Sequence, residues 1–351
     1  MFSYIWTGKR VLITGHTGFK GSWLSQTLNL MGAQVSGFSL PPTLGSHFEF
    51  SNNDVFRESI YSDIRDIAAI RKAIEIVDPD IIFHLAAQPL VLESLRNPIE
   101  TFEINVNGTI NLMESARLQN NLKGIVVITT DKVYSTETFE KVFTEDSKLF
   151  GKDPYSASKV CAEMVVSAWR SLYAQTSNAN LVTARAGNVI GGGDISRDRL
   201  IPDTLRAYRS NEVLEIRNPM SIRPWQHVLD PIFGYIKLGE RMLEKNSFLA
   251  NSYNFGPNSS IVKSVMDVIN EIKGNLTDLK VNSCEDSDEN QNESRCLLIS
   301  SELASQDLSW RSKLNFSEAI KWTLDWEFHP KSISKQAITE SQISTFLEMR
   351  S

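Results

Sequence analysis

The chain has 351 residues, with 36 Lys and Arg against 42 Asp and Glu, and a formal net charge of -6. That balance argues against a nucleic-acid surface, which carries a basic excess, and leaves room only for a local basic pocket around a small phosphate ligand. No run of about 18 apolar residues occurs, and the first ten residues lack a basic segment ahead of an apolar one, so neither a membrane span nor a signal peptide is expected. The cysteines, Cys161, Cys284 and Cys296, are too widely spaced for a zinc site and odd in number for a disulfide framework; they point to reduced thiols in a cytoplasmic protein. No two histidines form an HxxxH pair, and no metal is expected.

Residues 10–14 (RVLIT) read as a buried strand, followed by a glycine-rich turn and a helix over 22–31. A second strand is expected at 34–40, a weak third at 58–61, and a helix at 67–77, where Ile67, Ile70, Ala73, Ile74 and Val77 recur at helical spacing. A fourth strand at 80–85, a long helix at 98–118, a fifth strand at 124–129, a helix at 155–173 and a sixth strand at 181–186 complete the first half. Strands alternating with helices, and nearly continuously apolar within themselves, predict an α/β fold: a Rossmann-like doubly wound parallel sheet covered on both faces. Beyond Gly191 the pattern loosens, and residues 200–241 mix helix with short extended pieces. Residues 284–295 (CEDSDENQNESR) form an acidic polar loop, and 332–351 a polar terminal helix. The expected organisation is a cofactor-binding domain over 1–188 and a smaller α/β, mainly substrate-binding portion over 189–351, some of whose segments return to the first domain.

Gly15, Gly18 and Gly21 lie between the first strand and the first helix. In that position they permit a tight turn and close approach of a pyrophosphate to the free N–H groups of a helix N-terminus. The acid that would hold the adenosine ribose is absent from residues 37–42 (GFSLPP), and so is an arginine for a 2′-phosphate. That site therefore leaves NAD and NADP undecided. Asp63 and Ile64, after the third strand, are candidates for an adenine contact.

Tyr155 and Lys159 stand at i, i+4, on one face of a helix. A free tyrosine has a pKa of about 10, and a neighbouring ammonium favours its phenolate, which makes it a base toward a hydroxyl. Thr130, Asp131 and Lys132 end the fifth strand, where active residues of a doubly wound sheet gather.

The segments GHTGFKGSWL (15–24), HLAAQPLV (84–91), DPYSASK (153–159), RAGNVIGGGD (185–194), RLIPD (199–203) and IRPWQHVLD (222–230) together resemble the extended short-chain dehydrogenases/reductases that act on nucleotide sugars. Within them the chain is most similar to the sugar-nucleotide 4,6-dehydratases of the CDP-glucose group, where Ser/Thr-Asp-Lys replaces the more usual Thr-Asp-Glu. The resemblance implies NAD, held by Gly15, Thr17, Gly18, Phe19, Lys20, Gly21, Asp63, Ile64, Leu85, Ala86, Ala87, Asn105, Tyr155 and Lys159. It implies a CDP-glucose site drawn from Gln88, Asn188, Arg199, Leu200, Arg217, Arg223 and His227, with Asn188 and Arg199 on the diphosphate and Arg223 on the nucleotide. Trp225 and His227 read more readily as packing and orienting residues than as catalytic ones. The implied reaction is an internal redox cycle with Thr130, Asp131, Lys132, Tyr155 and Lys159 as catalytic residues. Tyr155 takes the 4-hydroxyl proton, Lys132 acts at C5 and Asp131 protonates the departing 6-hydroxyl. Lys132 is open to two readings, a base or a fixed charge that stabilises the enolate. A homodimer or homotetramer is implied as well.

Two departures from the family bear on the sugar and nucleotide. Residues 133–140 (VYSTETFE) are poor in aromatics, and Asn292-Glu293 stands where a His-Glu pair is more usual. An epimerase, or a dehydratase of another nucleotide hexose, is the alternative; an epimerase expels no 6-hydroxyl and so has no use for Asp131. A non-catalytic relative would have no need of an intact Tyr155 and Lys159.

Overall fold

The computed structural model describes residues 4–50, 53–136, 142–177, 179–216, 218–244, 249–257, 263–283 and 297–349. Arg217, residues 137–140 and the acidic loop 284–295 lie outside the described residues, as do Cys284 and Asn292-Glu293. The first half runs β1 (Arg10–Thr14), α1 (Phe19–Leu30), β2 (Gln34–Ser39), β3 (Phe56–Tyr61), α2 (Ile67–Val77), β4 (Ile81–His84), α3 (Val91–Arg96), α4 (Pro98–Phe102), α5 (Gly108–Ala116), β5 (Gly124–Ile128), α6 (Pro154–Thr176) and β6 (Asn180–Ala186). The second runs β7 (Val189–Ile190), α7 (Leu200–Ser210), β8 (Val213–Ile216), β9 (Gln226–His227), α8 (Leu229–Leu243), β10 (Ser252–Phe255), α9 (Val265–Asn275), β11 (Lys280–Ser283), α10 (Glu302–Leu308), α11 (Phe316–Glu327) and α12 (Lys335–Glu348).

Seven strands form one sheet in the order β10-β6-β5-β4-β1-β2-β3, and every pairing in it is parallel. Alternation along β1 sends Val11 and Ile13 into one core with Trp23, Leu24, Ile232 and Phe346. Leu12 faces the other, with Ile70, Ile74, Leu112 and Val166. Both faces are covered, which is why the strands read as continuous apolar runs. The chain travels outward from β1 to β3 and then crosses back to β4, so the crevice beyond the ends of β1 and β4 is a topological switch point, where such sheets bind ligands.

Several elements differ from the sequence reading. The strand expected at 58–61 begins at Phe56, and β2 ends at Ser39. The single helix expected over 98–118 is interrupted by a π-helical turn at Glu103–Asn107, which rotates Asn105 inward. The short α3 and the seventh strand β10 were not expected; β10 pairs with β6 and brings the C-terminal half back to the main sheet. The polar tail forms α12, which buries Thr339, Gln342, Ile343 and Phe346. Its Thr339 hydroxyl accepts from Trp326 Nε1 at 2.9 Å and lies 3.2 Å from His47 Nε2. Among the described residues no helix is long and apolar enough to cross a membrane.

Four histidines are buried. Burial pushes His16 down to about 4, and His47, His84 and His227 to about 3 each. Each is neutral in the fold and protonates when unfolded, so each contributes stability that is lost as pH falls from about 6.5 toward 4. Asp230 opposes them: burial raises its carboxyl to about 7, so folding gains stability as pH falls through that value. Between pH 7.5 and 5.5 the histidines together cost about 5 kcal/mol and Asp230 returns about 2. Buried Lys20, pushed down to about 7, adds about 1 kcal/mol to the loss, so urea unfolding should show a net loss of about 4 kcal/mol over that interval.

Candidate active site

Gly15 adopts φ 77°, and a Cβ there would stand 2.7 Å from the Ala86 nitrogen. A Cβ on Gly21 would stand 2.1 Å from the Gly15 carbonyl oxygen. The turn thus presses against Leu85 and Ala86 beyond β4 on one side and the first turn of α1 on the other. Gly18 is the N-cap of α1 and supplies no side-chain cap, which leaves the helix N–H groups open to an anion. Thr17 donates to the Leu40 carbonyl at 3.0 Å and lies 2.8 Å from the Ser39 hydroxyl, so two hydroxyls occupy the end of β2 where the acid is missing. His16 turns the other way. Its ring packs over Gly37, where a Cβ would stand 2.2 Å from it, and Nε2 meets Ser59 Oγ at 2.8 Å. Phe19 packs against Gly191, 3.2 Å from where its Cβ would be.

The Asp63 carboxylate is held by Arg65 at 2.7 Å, which keeps it below the usual carboxylate range. Ile64 is buried beneath Gly108. The backbone of Gln88 is locked to Asn105: its N–H donates to Asn105 Oδ1 at 2.9 Å, and Asn105 Nδ2 donates to its carbonyl at 3.1 Å. Asn105 Nδ2 also donates to Ser158 Oγ at 2.9 Å, tying this loop to α6. The Gln88 side chain donates to Thr101 Oγ1 at 2.9 Å.

Helix α6 starts on Asp153, whose carboxylate accepts from the Ser156 N–H at 3.0 Å, with Pro154 in the first turn. The Tyr155 N–H finds its partner outside the helix, in Ser94 Oγ of α3 at 3.1 Å. Tyr155 and Lys159 are buried side chains on one face, beside the turn after β5. Burial raises Tyr155 to about 12, against a hydrogen bond with Thr130 and the charge of Arg199. Burial pushes Lys159 down to about 8, and Glu163 works against it; its Nζ donates to the Ile128 carbonyl at 3.2 Å. In so dry a setting, any positive charge brought beside Tyr155 acts with little screening.

Thr130 caps the short 3-10 turn Asp131–Val133 and donates to Asp131 Oδ1 at 3.1 Å. The other carboxylate oxygen, Asp131 Oδ2, is buried with no hydrogen-bond partner among the described residues. It lies where a Cβ on Gly187 would be 2.7 Å away, so Asp131 and the end of β6 that leads into Asn188 share one floor. Lys132 Nζ stands 3.9 Å from Asp131 Oδ1. Lys20 enters from α1; burial first, and then Arg199, Lys159 and Lys132, push its ammonium down to about 7, against Asp131. Lys20, Lys132, Lys159 and Arg199 therefore gather around Asp131, a basic cluster that suits an anionic ligand.

Arg199 is the N-cap residue of α7 and pairs with Asp194 at 3.2 Å, and Leu200 packs at the edge of the core around Ile201 and Trp225. Arg223 donates to the Ile222 carbonyl at 2.9 Å. His227 is not at the site's surface. It is fully buried, 6.0 Å from the Trp23 ring and 5.6 Å from Trp322, and its Nδ1 accepts from the Leu229 N–H at 3.3 Å. Its surroundings are those of a packing and orienting residue. Among the described residues no cluster of His, Cys, Asp or Glu is arranged to hold a metal.

A doubly wound sheet with a glycine turn at its switch point and a Tyr-x-x-x-Lys helix beside it defines an extended short-chain dehydrogenase/reductase. The sequence pattern of the GDP-mannose 4,6 dehydratase family matches residues 12–323, and the chain belongs to that family. A CDP-glucose 4,6-dehydratase of Salmonella typhimurium is 41% identical over 331 residues, covering 92% of each chain. A dTDP-glucose 4,6-dehydratase of Escherichia coli is 27% identical over 349 residues, 92% of this chain and 94% of its own. Among solved structures, an epimerase from Methanothermobacter thermautotrophicus superposes with a TM-score of 0.77 at 23% identity, over 92% of this chain and 95% of its own. A dTDP-glucose 4,6-dehydratase of Bacillus anthracis, solved with NAD, gives a TM-score of 0.74 at 22% identity, over 92% and 97%.

Proposed function

We propose that the protein is a CDP-glucose 4,6-dehydratase that keeps NAD resident and converts CDP-glucose to CDP-4-keto-6-deoxyglucose and water. The observation that carries this reading is Asp131, buried near Tyr155 with one carboxylate oxygen unpartnered, which suits it to give a proton to a departing 6-hydroxyl. The relative at 41% identity supports the nucleotide.

The glycine cradle fits the cofactor. The turn at Gly15, Gly18 and Gly21 is tight because a Cβ at the first or last would strike backbone, and with no side-chain cap the α1 N–H groups are left for a diphosphate. Thr17 and Ser39 would hold the adenosine ribose, Asp63 and Ile64 the adenine, Leu85 to Ala87 and Asn105 the nicotinamide side, and Lys159 the nicotinamide ribose. Phe19 and Lys20 complete the cradle. NAD supplies hydride acceptance from C4 and hydride return to C6. Tyr155 takes the 4-hydroxyl proton as the ketone forms, steadied by Thr130. The ketone acidifies C5; Lys132 removes that proton or holds the enolate charge. Asp131 gives its proton to the 6-hydroxyl, which leaves as water. Gln88 lines the sugar pocket, Asn188, Arg199 and Leu200 the diphosphate side, and Arg217 and Arg223 the nucleotide. On this division residues 1–188 carry mainly the cofactor and 189–351 mainly the substrate.

Exposed Leu95, Ile99, Phe102 and Met164 on α3, α4 and α6 support a homodimer or homotetramer, which light scattering tests. The free thiol of Cys161 accords with a cytoplasmic location. Parallel incubations with CDP-, dTDP-, UDP- and GDP-glucose, assayed for the 4-keto sugar, test the substrate. Turnover confined to CDP-glucose is expected; preference for another nucleotide would overturn the assignment while leaving the chemistry. Gly21→Ala should purify without cofactor, because its Cβ has no room beside the Gly15 carbonyl, and chromatography of the nucleotide released on denaturation reads this directly.

A further inference from the structure

Glu163 lies one helical turn beyond Lys159 and two beyond Tyr155, on the same buried face of α6. Every lone-pair direction of its carboxylate is occupied. Oε1 accepts from Thr129 Oγ1 at 2.7 Å and Arg185 Nε at 2.8 Å; Oε2 accepts from Thr183 Oγ1 at 2.7 Å and Arg185 Nη2 at 2.9 Å. Arg185 reaches on to Tyr134 Oη at 2.9 Å, and Tyr134 donates to Asn254 Oδ1 at 2.7 Å. One side of this carboxylate is therefore fastened to the strand end that presents Thr130 and Asp131, and the other is carried by the helix that presents Tyr155 and Lys159.

We propose that Glu163 is a positioning residue of the reaction: a carboxylate clamped by Arg185, Thr129 and Thr183 that stands one helical turn behind Lys159, steadies that side chain and fixes α6 against the Asp131 turn. Burial works against the charge of Glu163, but Arg185 and the two threonine hydroxyls outweigh it and keep the carboxyl below its ordinary range. The charged and titratable groups around Lys159 are Tyr155 and Glu163 on its own helix, His84 at the end of β4, Lys20 at the start of α1, and Asp131 and Lys132 after β5, with Arg185 and Arg170 behind Glu163. Among these, His84 is neutral and Lys20 repels, while Glu163 favours the Lys159 ammonium.

The inference rests on the reading of Tyr155 and Lys159 as the base pair of the reaction, and its test separates the two. Competitive acetylation with isotopic acetic anhydride across pH, read by mass spectrometry, titrates Lys159 in the full-length protein whether or not a sugar turns over. Glu163→Gln should move the Lys159 midpoint down by about one pH unit, and Glu163→Asp should restore it. Gln leaves the buried Arg185 charge uncompensated, which can prevent folding. The double variant Glu163→Gln/Arg185→Met removes both charges and should still lower the midpoint. The alkaline limb of single-turnover NADH formation should shift with it. A Lys159 midpoint that stays in place in the folded single or double variant overturns the proposal. Absence of NADH formation in the wild-type protein with every nucleotide hexose would instead remove the functional reading, and the labelling result would stand on its own.

Discussion

Tyr155→Phe should lower turnover by about 10³-fold while the protein keeps its fold and its bound dinucleotide. On the proposed mechanism the Tyr155 phenol accepts the 4-hydroxyl proton, and its removal stops the first step. It is buried, and burial is the largest of the causes that raise it to about 12. Its ionisation therefore depends on the cations collected around it, Lys159 on the same helix face and Arg199 opposite. Phenylalanine preserves the packing and removes the proton acceptor. The expected signature is the loss of the first step: single-turnover mixing with CDP-glucose gives no rise in NADH absorbance. A variant that still reduced NAD at more than a tenth of the wild-type rate would take Tyr155 out of the base role.

Asp131→Asn should fail at a different point. The amide keeps the size and the hydrogen bond with Thr130, now 3.1 Å from Asp131 Oδ1, but has no proton to give to a leaving hydroxyl. Turnover should fall by about 10²–10³-fold, with oxidation at C4 left intact. NADH and a 4-keto hexose that still carries its 6-hydroxyl should then accumulate. Lys132→Met divides the two readings of that lysine. If Lys132 is the base, exchange of the C5 proton with deuterated water stops; if it is a fixed charge, exchange is slowed and survives. Equal loss of NADH formation and dehydration in Asp131→Asn would show that the carboxylate acts before, and not at, expulsion of the hydroxyl.

Much of this was legible in the sequence because the signals were local. The apolar runs of β1, β4 and β5 identify strands covered on both faces, and the i, i+4 spacing of Tyr155 and Lys159 puts them together without knowledge of the fold. The same spacing carried one step further reaches Glu163, but its meaning depends on Arg185, Thr129 and Thr183, which only the β5–β6 pairing brings within reach. The break in the helix expected over 98–118 was not legible, since the extra residue of the π-helical turn interrupts no apolar pattern and shows only as the inward rotation of Asn105. Strand β10 was missed because four residues (SYNF) are too short a run to separate from loop. The end of β2 looked empty in sequence. In the fold Thr17 and Ser39 meet there and His16 fills the space above Gly37, an arrangement set by the β1–β2 register, with Ile13 beside Gly37. His227, within a motif that implied a substrate contact, is enclosed by Trp23 and Trp322, whose positions are set by α1 and α11.

The most direct test of the central claim is incubation of the purified protein with CDP-glucose in deuterated water, followed by mass spectrometry of the sugar nucleotide. An internal redox cycle through a 4-ketone predicts loss of one water and retention of one solvent deuteron at C5, with no net change in NAD. Recovery of unchanged CDP-glucose, or of a product that has lost no water, from protein shown to contain NAD would contradict it.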